Sequence, residues 1–414
     1  MVDIREVPES DIDRALELAY LVFHDRPEKE VREKHHALLA SCDRIGAYDG
    51  AALVGFMAAH DFRLSVPGAD LPCPGLTFVC VAPTHRRRGV LTGLMERMLR
   101  RTAAAAGPIA ALWASEAAIY GRFGYGSATT GATIEIDSTR PLALRIAPDR
   151  RPLRLLDPEE ALAVIGPFHE AARAGRAGRP TRSAQRWREE WLAEQDEEDE
   201  ELSPPRIIVL GDPGEPIAGY VLYRTKAEDD AAAVRVPGRV RVDELEADTP
   251  AVAAALWECV ASLDLTGKVS AWGRPVDDPL LHFAADRDQV RVTAQFPALW
   301  VRLVDVRAAL TARSWAAPVE VVLEVRDVRL PANAGRFRLK AGSHGATYEH
   351  DHVDSGATAD LALDVRELAA CYLGGTRVEE LVAAGLVREH TAGAAAALDA
   401  ALRTPVLPHT SDEF

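Results

Sequence analysis

Residues Val79–Arg101 read VCVAPTHRRRGVLTGLMERMLRR. A short apolar run leads into three arginines and a glycine, and apolar positions at helical spacing begin directly afterwards. A strand, a glycine turn and a helix in that order can hold an anion. Glycine lets the backbone turn tightly, so that successive N–H groups point into one space. The helix start adds the positive end of its dipole, and arginine forks add fixed donors for phosphate oxygens. The turn is not a Walker loop, because no GxxxxGKS/T is present, and not a dinucleotide fingerprint, because GxGxxG is missing.

The rest of the 414-residue chain sets this segment in context. Its 48 basic and 63 acidic side chains give a net charge of −15. Such a chain repels nucleic acid and suits cationic partners, so the arginines are a local exception and no nucleic-acid partner is expected. Five cysteines (Cys42, Cys73, Cys80, Cys259, Cys371) lack CxxC spacing, and neither a disulfide framework nor a metal site is expected. The start, MVDIREVPESDIDRALELAYLVF, carries charges and an amphipathic helix pattern instead of a signal-peptide core. No run approaches the ~18 apolar residues of a membrane span. The expectation is a cytoplasmic protein without a membrane span.

Working outward, Ser10 is placed as the N-cap of a helix with apolar positions Ile12, Ala15, Leu16, Ala19, Val22 and Phe23, and a second helix covers 28–41. Strands at 45–48 and 53–58 flank Asp49-Gly50, a hairpin signal. A third strand, 76–81, enters the arginine turn; a helix at 91–105 and a strand at 109–114 follow. A similar order returns after Pro152: helices at 158–174 and 182–194, an acidic stretch at 195–201 read as a solvated loop, a hairpin at 207–224, a strand at 240–245, a helix at 249–263 and a strand at 268–272. The second copy has VDELEADTP where the first has VAPTHRRRG, so it is read as a duplicate that has lost the anion turn. Beyond Trp300 three strands, at 319–327, 335–342 and in 359–375, pass into a helix, and a last helix at 392–402 leads to RTPVLPHTSDEF. The fold class is mixed α/β (α+β), in three domains: 1–150, 151–300 and 301–414.

The strand–APTHRRRGVL–helix segment resembles the acyl-CoA site of the GCN5-related N-acetyltransferases (GNAT). Their pattern of Arg or Gln, two residues, Gly, one residue, then Gly or Ala is met at Arg86 and Gly89, while Leu91 departs from it. That departure, the SEAAIYGRFGYG segment, the three-domain layout and the terminal Glu-Phe are similar to one branch, the Eis (enhanced intracellular survival) acetyltransferases. The resemblance implies tandem GNAT domains, active then degenerate, plus a C-terminal domain like sterol carrier protein. It implies acetyl-CoA as cosubstrate, with backbone groups of Val79, Cys80 and Val81 toward the pantetheine and thioester. Arg87, Arg88, Gly89, Val90, Leu91 and Thr92 would wrap the pyrophosphate, and Ser115 and Glu116 would lie near the CoA arm. The implied acceptor is an amine of an aminoglycoside-like polycation or a lysine side chain. Acidic tail residues and Asp25 could receive such a cation. Family members form hexamers, so a homo-oligomer is implied. The rival reading is a non-catalytic CoA or lipid carrier.

Amide formation from a thioester needs a neutral amine and a proton for the departing thiolate. A tyrosine of pKa about 10 suits a thiolate whose thiol sits near 8.5. The resemblance places the general acid at Tyr120, with Tyr125 the rival, and the base at the terminal carboxylate of Phe414. That group, with an ordinary pKa near 3.5, is ionised at neutral pH and is a weak base unless burial or a relay helps it. Glycines 121, 124 and 126 point to a closely approached backbone beside the tyrosines. Other features carry less. His350-Asp351-His352 lacks a third ligand, His85 reads as exposed, Ser115 has no GxSxG elbow, and Cys80 reads as a small buried side chain with no activating base.

Overall fold

In a computed structural model, residues 2–197, 199–227, 237–350 and 358–414 are described. The first copy runs β1 (Asp3–Glu6), α1 (Ile12–Phe23), α2 (Lys29–Ser41), β2 (Asp43–Asp49), β3 (Ala52–Val66), β4 (Ala69–Val81), α3 (Val90–Ala104), β5 (Ile109–Trp113), α4 (Ala117–Tyr120), β6 (Tyr125–Ser127) and β7 (Thr130–Asp137). The second repeats it: β8 (Leu153–Leu156), α5 (Pro158–Ala174), α6 (Ala184–Arg186), β9 (Arg206–Leu210), β10 (Gly219–Lys226), β11 (Gly238–Ala247), α7 (Pro250–Ala261), β12 (Thr266–Pro275), α8 (Leu280–Phe283), β13 (Val290–Pro297) and β14 (Leu299–Leu303). The remainder holds α9 (Val306–Ala312), β15 (Val319–Arg326), β16 (Gly335–Gly342), β17 (Gly345–His350), β18 (Leu361–Asp364), α10 (Val365–Cys371), α11 (Val378–Ala383), β19 (Arg388–Glu389) and α12 (Ala394–Leu402).

Local chemistry accounts for most boundaries. Asp157 and Thr249 each accept a backbone N–H with their side chain and are followed by proline, an N-cap before a residue that has no N–H to satisfy. Asp49-Gly50 closes the β2–β3 hairpin, with Gly50 at φ 58°. In α1, Ile12, Ala15, Leu16 and Ala19 are buried, one face at helical spacing.

Several expectations need correction. Ser10 does not cap α1; it lies inside a 3₁₀ turn, Glu9–Asp11, and Asp11 takes the cap position. Strands 3 and 4 run far beyond 53–58 and 76–81, because AHDFRLSV continues the alternation and turns at Pro67-Gly68. Of the helix at 182–194 there remain α6 and one π turn, Trp187–Trp191. The acidic stretch is solvated only in part: Asp196 pairs with Arg241, and Asp199 with Lys226 and Arg239. Among the carboxy-terminal elements, α9, β17 and α11 are not in the sequence reading.

Seven-stranded sheets form in the order β1-β2-β3-β4-β5-β14-β6 and β13-β7-β12-β11-β10-β9-β8, and a five-stranded sheet in the order β17-β16-β15-β18-β19. Each copy's final strand therefore lies next to the edge strand of the other copy's sheet. The chain forms two compact units: Met1–Thr129, Pro297–Pro408 and Asp412–Phe414 in one, Thr130–Phe296 and His409–Ser411 in the other. In the first unit the core of Leu94, Met95, Met98 and Leu99 from α3 packs on Ile45, Met57, Leu76 and Leu112. In the second, Trp257 and Leu256 of α7 fill the equivalent place over Val242 and Val269. The long β3–β4 arm of the first unit reaches the carboxy-terminal elements, where the Ser314 N–H donates to the Pro67 carbonyl at 2.7 Å.

Candidate active site

Strands β4 and β5 are parallel and pair only at Gly75–Ala111 and Leu76–Leu112. Beyond that rung β4 continues to Val81 and β5 to Trp113 without pairing, so the sheet forks and one edge of Val79, Cys80 and Val81 faces an opening. A bulge opens it further. The β3–β4 register slips between Phe56 and Ala58, and Phe78 lies there at φ 51°, a left-handed conformation that costs a non-glycine residue free energy. Phe78 carries no sequence signal for this.

At the end of β4 a 3₁₀ turn, Pro83–His85, leads into Arg86–Gly89, all four residues exposed. Arg87 and Gly89 have φ of 61° and 80°. Among the described residues none of Arg86, Arg87 and Arg88 is in an ion pair, so their charge is available to an anion. Gly89 precedes α3 without a side-chain cap, which leaves the N–H groups of Val90, Leu91 and Thr92 as first-turn donors. Val90 is buried and anchors the helix start. His85 is not wholly exposed: its Nε2 lies 3.3 Å from Asp49.

On the β5 side, Ser115 and Glu116 are exposed at the entry to α4, with Glu116 at its N-cap position. Tyr120 ends α4 and is buried, with about one-twentieth of its surface exposed. Burial, then the charge of Glu116, push its hydroxyl up to about 12. Tyr120 belongs to the buried cluster against which Val79 and Val81 of the free part of β4 pack. Tyr125 is edge-on to Tyr120 at 6.3 Å, is fully buried, and its hydroxyl has no partner among the described residues. Burial raises it further still. Burial also pushes the Cys80 thiol up to about 12, so it stays protonated. The glycines beside the tyrosines are explained by α10: a Cβ on Gly126 would lie 2.2 Å from the Arg366 carbonyl oxygen and 2.4 Å from the Ala370 nitrogen.

The chain end arrives at the root of the fork. The Phe414 ring stands edge-on to Phe62 at 5.0 Å and to His60 at 6.1 Å, and touches Gly75, the residue of the last-but-one rung. His60, Phe62 and Gly75 are absent from the sequence reading. Nothing in one dimension links a histidine at position 60 with residue 414.

The second copy has a fork of its own but different chemistry. β11 and β12 pair from Gly238 to Val242, and the free arm carries Asp243, Glu244 and Glu246. Glu244 is buried, accepting from both Arg182 nitrogens at 2.8 and 3.1 Å and from the Tyr220 hydroxyl at 2.5 Å. Thr249 caps α7, using a first-turn N–H that α3 leaves open. Carboxylates on the arm and a helix start capped by its own threonine leave no seat for a pyrophosphate. Among the described residues no cluster of three metal-ligating side chains is gathered. His350 ends β17, and Asp351 and His352 lie outside the described residues.

Residues 3–128 match one acetyltransferase (GNAT) domain family, residues 178–307 a second, and residues 306–411 the sterol carrier protein domain family. An uncharacterized N-acetyltransferase of Streptomyces avermitilis is 39% identical across 98% of this chain and 99% of its own. N-acetyltransferase Eis of Mycobacterium tuberculosis is 36% identical across 90% of this chain and 88% of its own. The crystal structure of Eis1 from Mycobacterium abscessus superposes with a TM-score of 0.84 at 33% identity, covering 100% of both chains. Two GNAT folds, one with an open fork and an uncapped arginine turn, define an N-acetyltransferase of the GNAT class. Within that class the chain belongs to the Eis family. The carrier alternative is thereby set aside.

Proposed function

We propose that this enzyme moves the acetyl group of acetyl-CoA to an amine of a polycationic acceptor, an aminoglycoside-like molecule or a lysine side chain. Tyr120 acts as general acid and the Phe414 α-carboxylate as general base. The observation that carries this reading is the fork: the last residue of the chain touches its root at Gly75, while Tyr120 lies in the cluster against which Val79 and Val81 of its free arm pack.

The residues present suit acetyl-CoA. Arg87 and Arg88, with the N–H groups of Gly89, Val90, Leu91 and Thr92, would hold the pyrophosphate, and Ser115 and Glu116 flank the other side of the opening. The free edge of Val79–Val81 offers strand-type hydrogen bonds to the amides of the pantetheine arm. Bound there, acetyl-CoA supplies an activated acyl carbon.

The Phe414 carboxylate attracts the ammonium group and accepts its proton, leaving a neutral nitrogen with a lone pair. As the nitrogen–carbon bond forms and the carbon–sulfur bond breaks, Tyr120 donates its hydroxyl proton to sulfur and recovers one from solvent. The carboxylate passes its proton to solvent, and the nitrogen sheds a second proton by the same route as it becomes an amide. Two protons leave, one returns to Tyr120, and one is released per turnover. A cationic acceptor is favoured by the net charge of −15.

The test pairs calorimetry of CoA binding with thiol release across aminoglycosides, polyamines and lysine peptides, and the products are weighed by mass spectrometry. CoA binding with turnover of several polycations and a mass gain of one acetyl group is expected. CoA binding without turnover of any amine would overturn the acceptor assignment, and absence of CoA binding would overturn the whole reading.

A further inference from the structure

The structure assigns to His60, Phe62 and Gly75 the task of seating the ring of Phe414, and we propose that an aromatic final side chain is a requirement for turnover distinct from the carboxylate it carries. The inference rests on the reading of that carboxylate as proton acceptor.

A chain end is ordinarily the least ordered part of a domain. A base carried on a loose end would sample many positions, and a displacement of about 1 Å at a reacting group can cost about 10²-fold in rate. Here the end is held by its ring. His60 and Phe62 are two residues apart on β3, so they share a face. Their rings are stacked at 4.6 Å with planes 9° apart. The Phe414 ring meets both edge-on, at interplanar angles of 76° to Phe62 and 85° to His60. The imidazole is itself steadied from behind, its Nδ1 lying 3.7 Å from the buried Cys42 thiol.

Gly75 is the cross-strand partner of His60, and its missing side chain makes the room. A Cβ there would lie 2.9 Å from Phe414 Cε2 and 2.5 Å from Phe62 Cδ2, closer than carbon atoms tolerate. The same glycine forms the last-but-one rung before β4 and β5 part. The seat therefore fixes the chain end where the fork opens, and His60, Phe62 and Gly75 act as positioning residues on the carboxylate without touching the reacting atoms.

Steady-state kinetics on the full-length chain test this. Phe414→Leu keeps the carboxylate and loses the ring contacts: kcat should fall about tenfold or more, with the KM for acetyl-CoA changed less than about twofold. Gly75→Ala should give the same signature. The added methyl meets the Phe62 and Phe414 rings together, at 2.5 and 2.9 Å, so it disturbs both sides of the seat at once. Should Gly75→Ala not fold, His60→Phe and His60→Ser replace it. The aromatic substitution should keep the rate within about threefold, and the serine should copy Phe414→Leu. Parent-like kcat in Phe414→Leu, in a protein that an extension beyond residue 414 inactivates, would overturn the seat and leave the carboxylate reading standing. Full activity in the extended chain would overturn the carboxylate reading, and the reason for a seat with it.

Discussion

At the scale of single residues, the site turns on what burial does to two tyrosines five positions apart. Tyr120 keeps a sliver of exposure beside the free strand, whereas Tyr125 has none and its hydroxyl meets no partner among the described residues. That difference in exposure is why Tyr120, and not Tyr125, is proposed as the general acid. Tyr120→Phe should lower kcat by about 10² to 10⁴, and thiol-release assays check it. A near-normal rate would return the role to Tyr125 or to water. The pH dependence follows in sign. In the proposed mechanism the protonated hydroxyl is the working form, and burial holds it up to about 12. Activity should therefore not decline on the alkaline side through loss of this proton until pH nears 12. An alkaline limb below pH 10 that vanishes in Tyr120→Phe would contradict this.

Elements decide what those residues can reach. The helix behind the arginine turn, α3, starts without a side-chain cap, whereas α7, its counterpart, is capped by Thr249. Arg87→Ala and Arg88→Ala should each raise the KM for acetyl-CoA about tenfold or more, as expected for losing a charge-assisted hydrogen bond worth about 1.5–3 kcal/mol. The effect on kcat should be small, and added salt should narrow the gap from the parent. The chain end is the other decisive element. A short tag appended after Phe414 removes the carboxylate from its place, and should reduce turnover at least 10²-fold while calorimetric CoA affinity stays within about threefold. Equal rates with and without the tag would exclude the carboxylate from the reaction.

Across the molecule, each unit depends on a buried charge that long-range folding alone brings to its partner. In the first, Arg302 of β14 donates to Asp327 at 2.6 Å, both wholly buried. Arg302→Ala strands the carboxylate and should cost about 3–5 kcal/mol, read from chemical denaturation. In the second, burial pushes the Glu244 carboxyl up, but Arg182, His169 and Arg179 outweigh it and hold it at about 2. A carboxyl lower in the folded state than in the unfolded chain stabilises above its ordinary value near 4.3 and loses that contribution as pH falls toward 2. Thermal melts of the parent and Glu244→Gln should therefore differ near neutral pH and converge in acid.

Much of this was legible in one dimension because it depends on neighbours in sequence. Asp49-Gly50, Asp157-Pro158 and Thr249-Pro250 announce a hairpin and two helix starts through local chemistry, and the arginines announce the anion turn through their spacing before α3. Other features were invisible because they depend on which distant strands pair. β7 and β14 each lie in the sheet of the other copy. Phe78 bulges without a glycine to mark it, and residue 414 meets His60, Phe62 and Gly75 across more than three hundred positions. The sequence by itself determined the two copies and the replacement of the arginine turn in the second, set by backbone and side-chain preferences within a few residues. Only the tertiary structure decided how the sheet forks and what holds the chain end at its root. Those outcomes come from strand register and from rings packing into the space above a residue with no side chain.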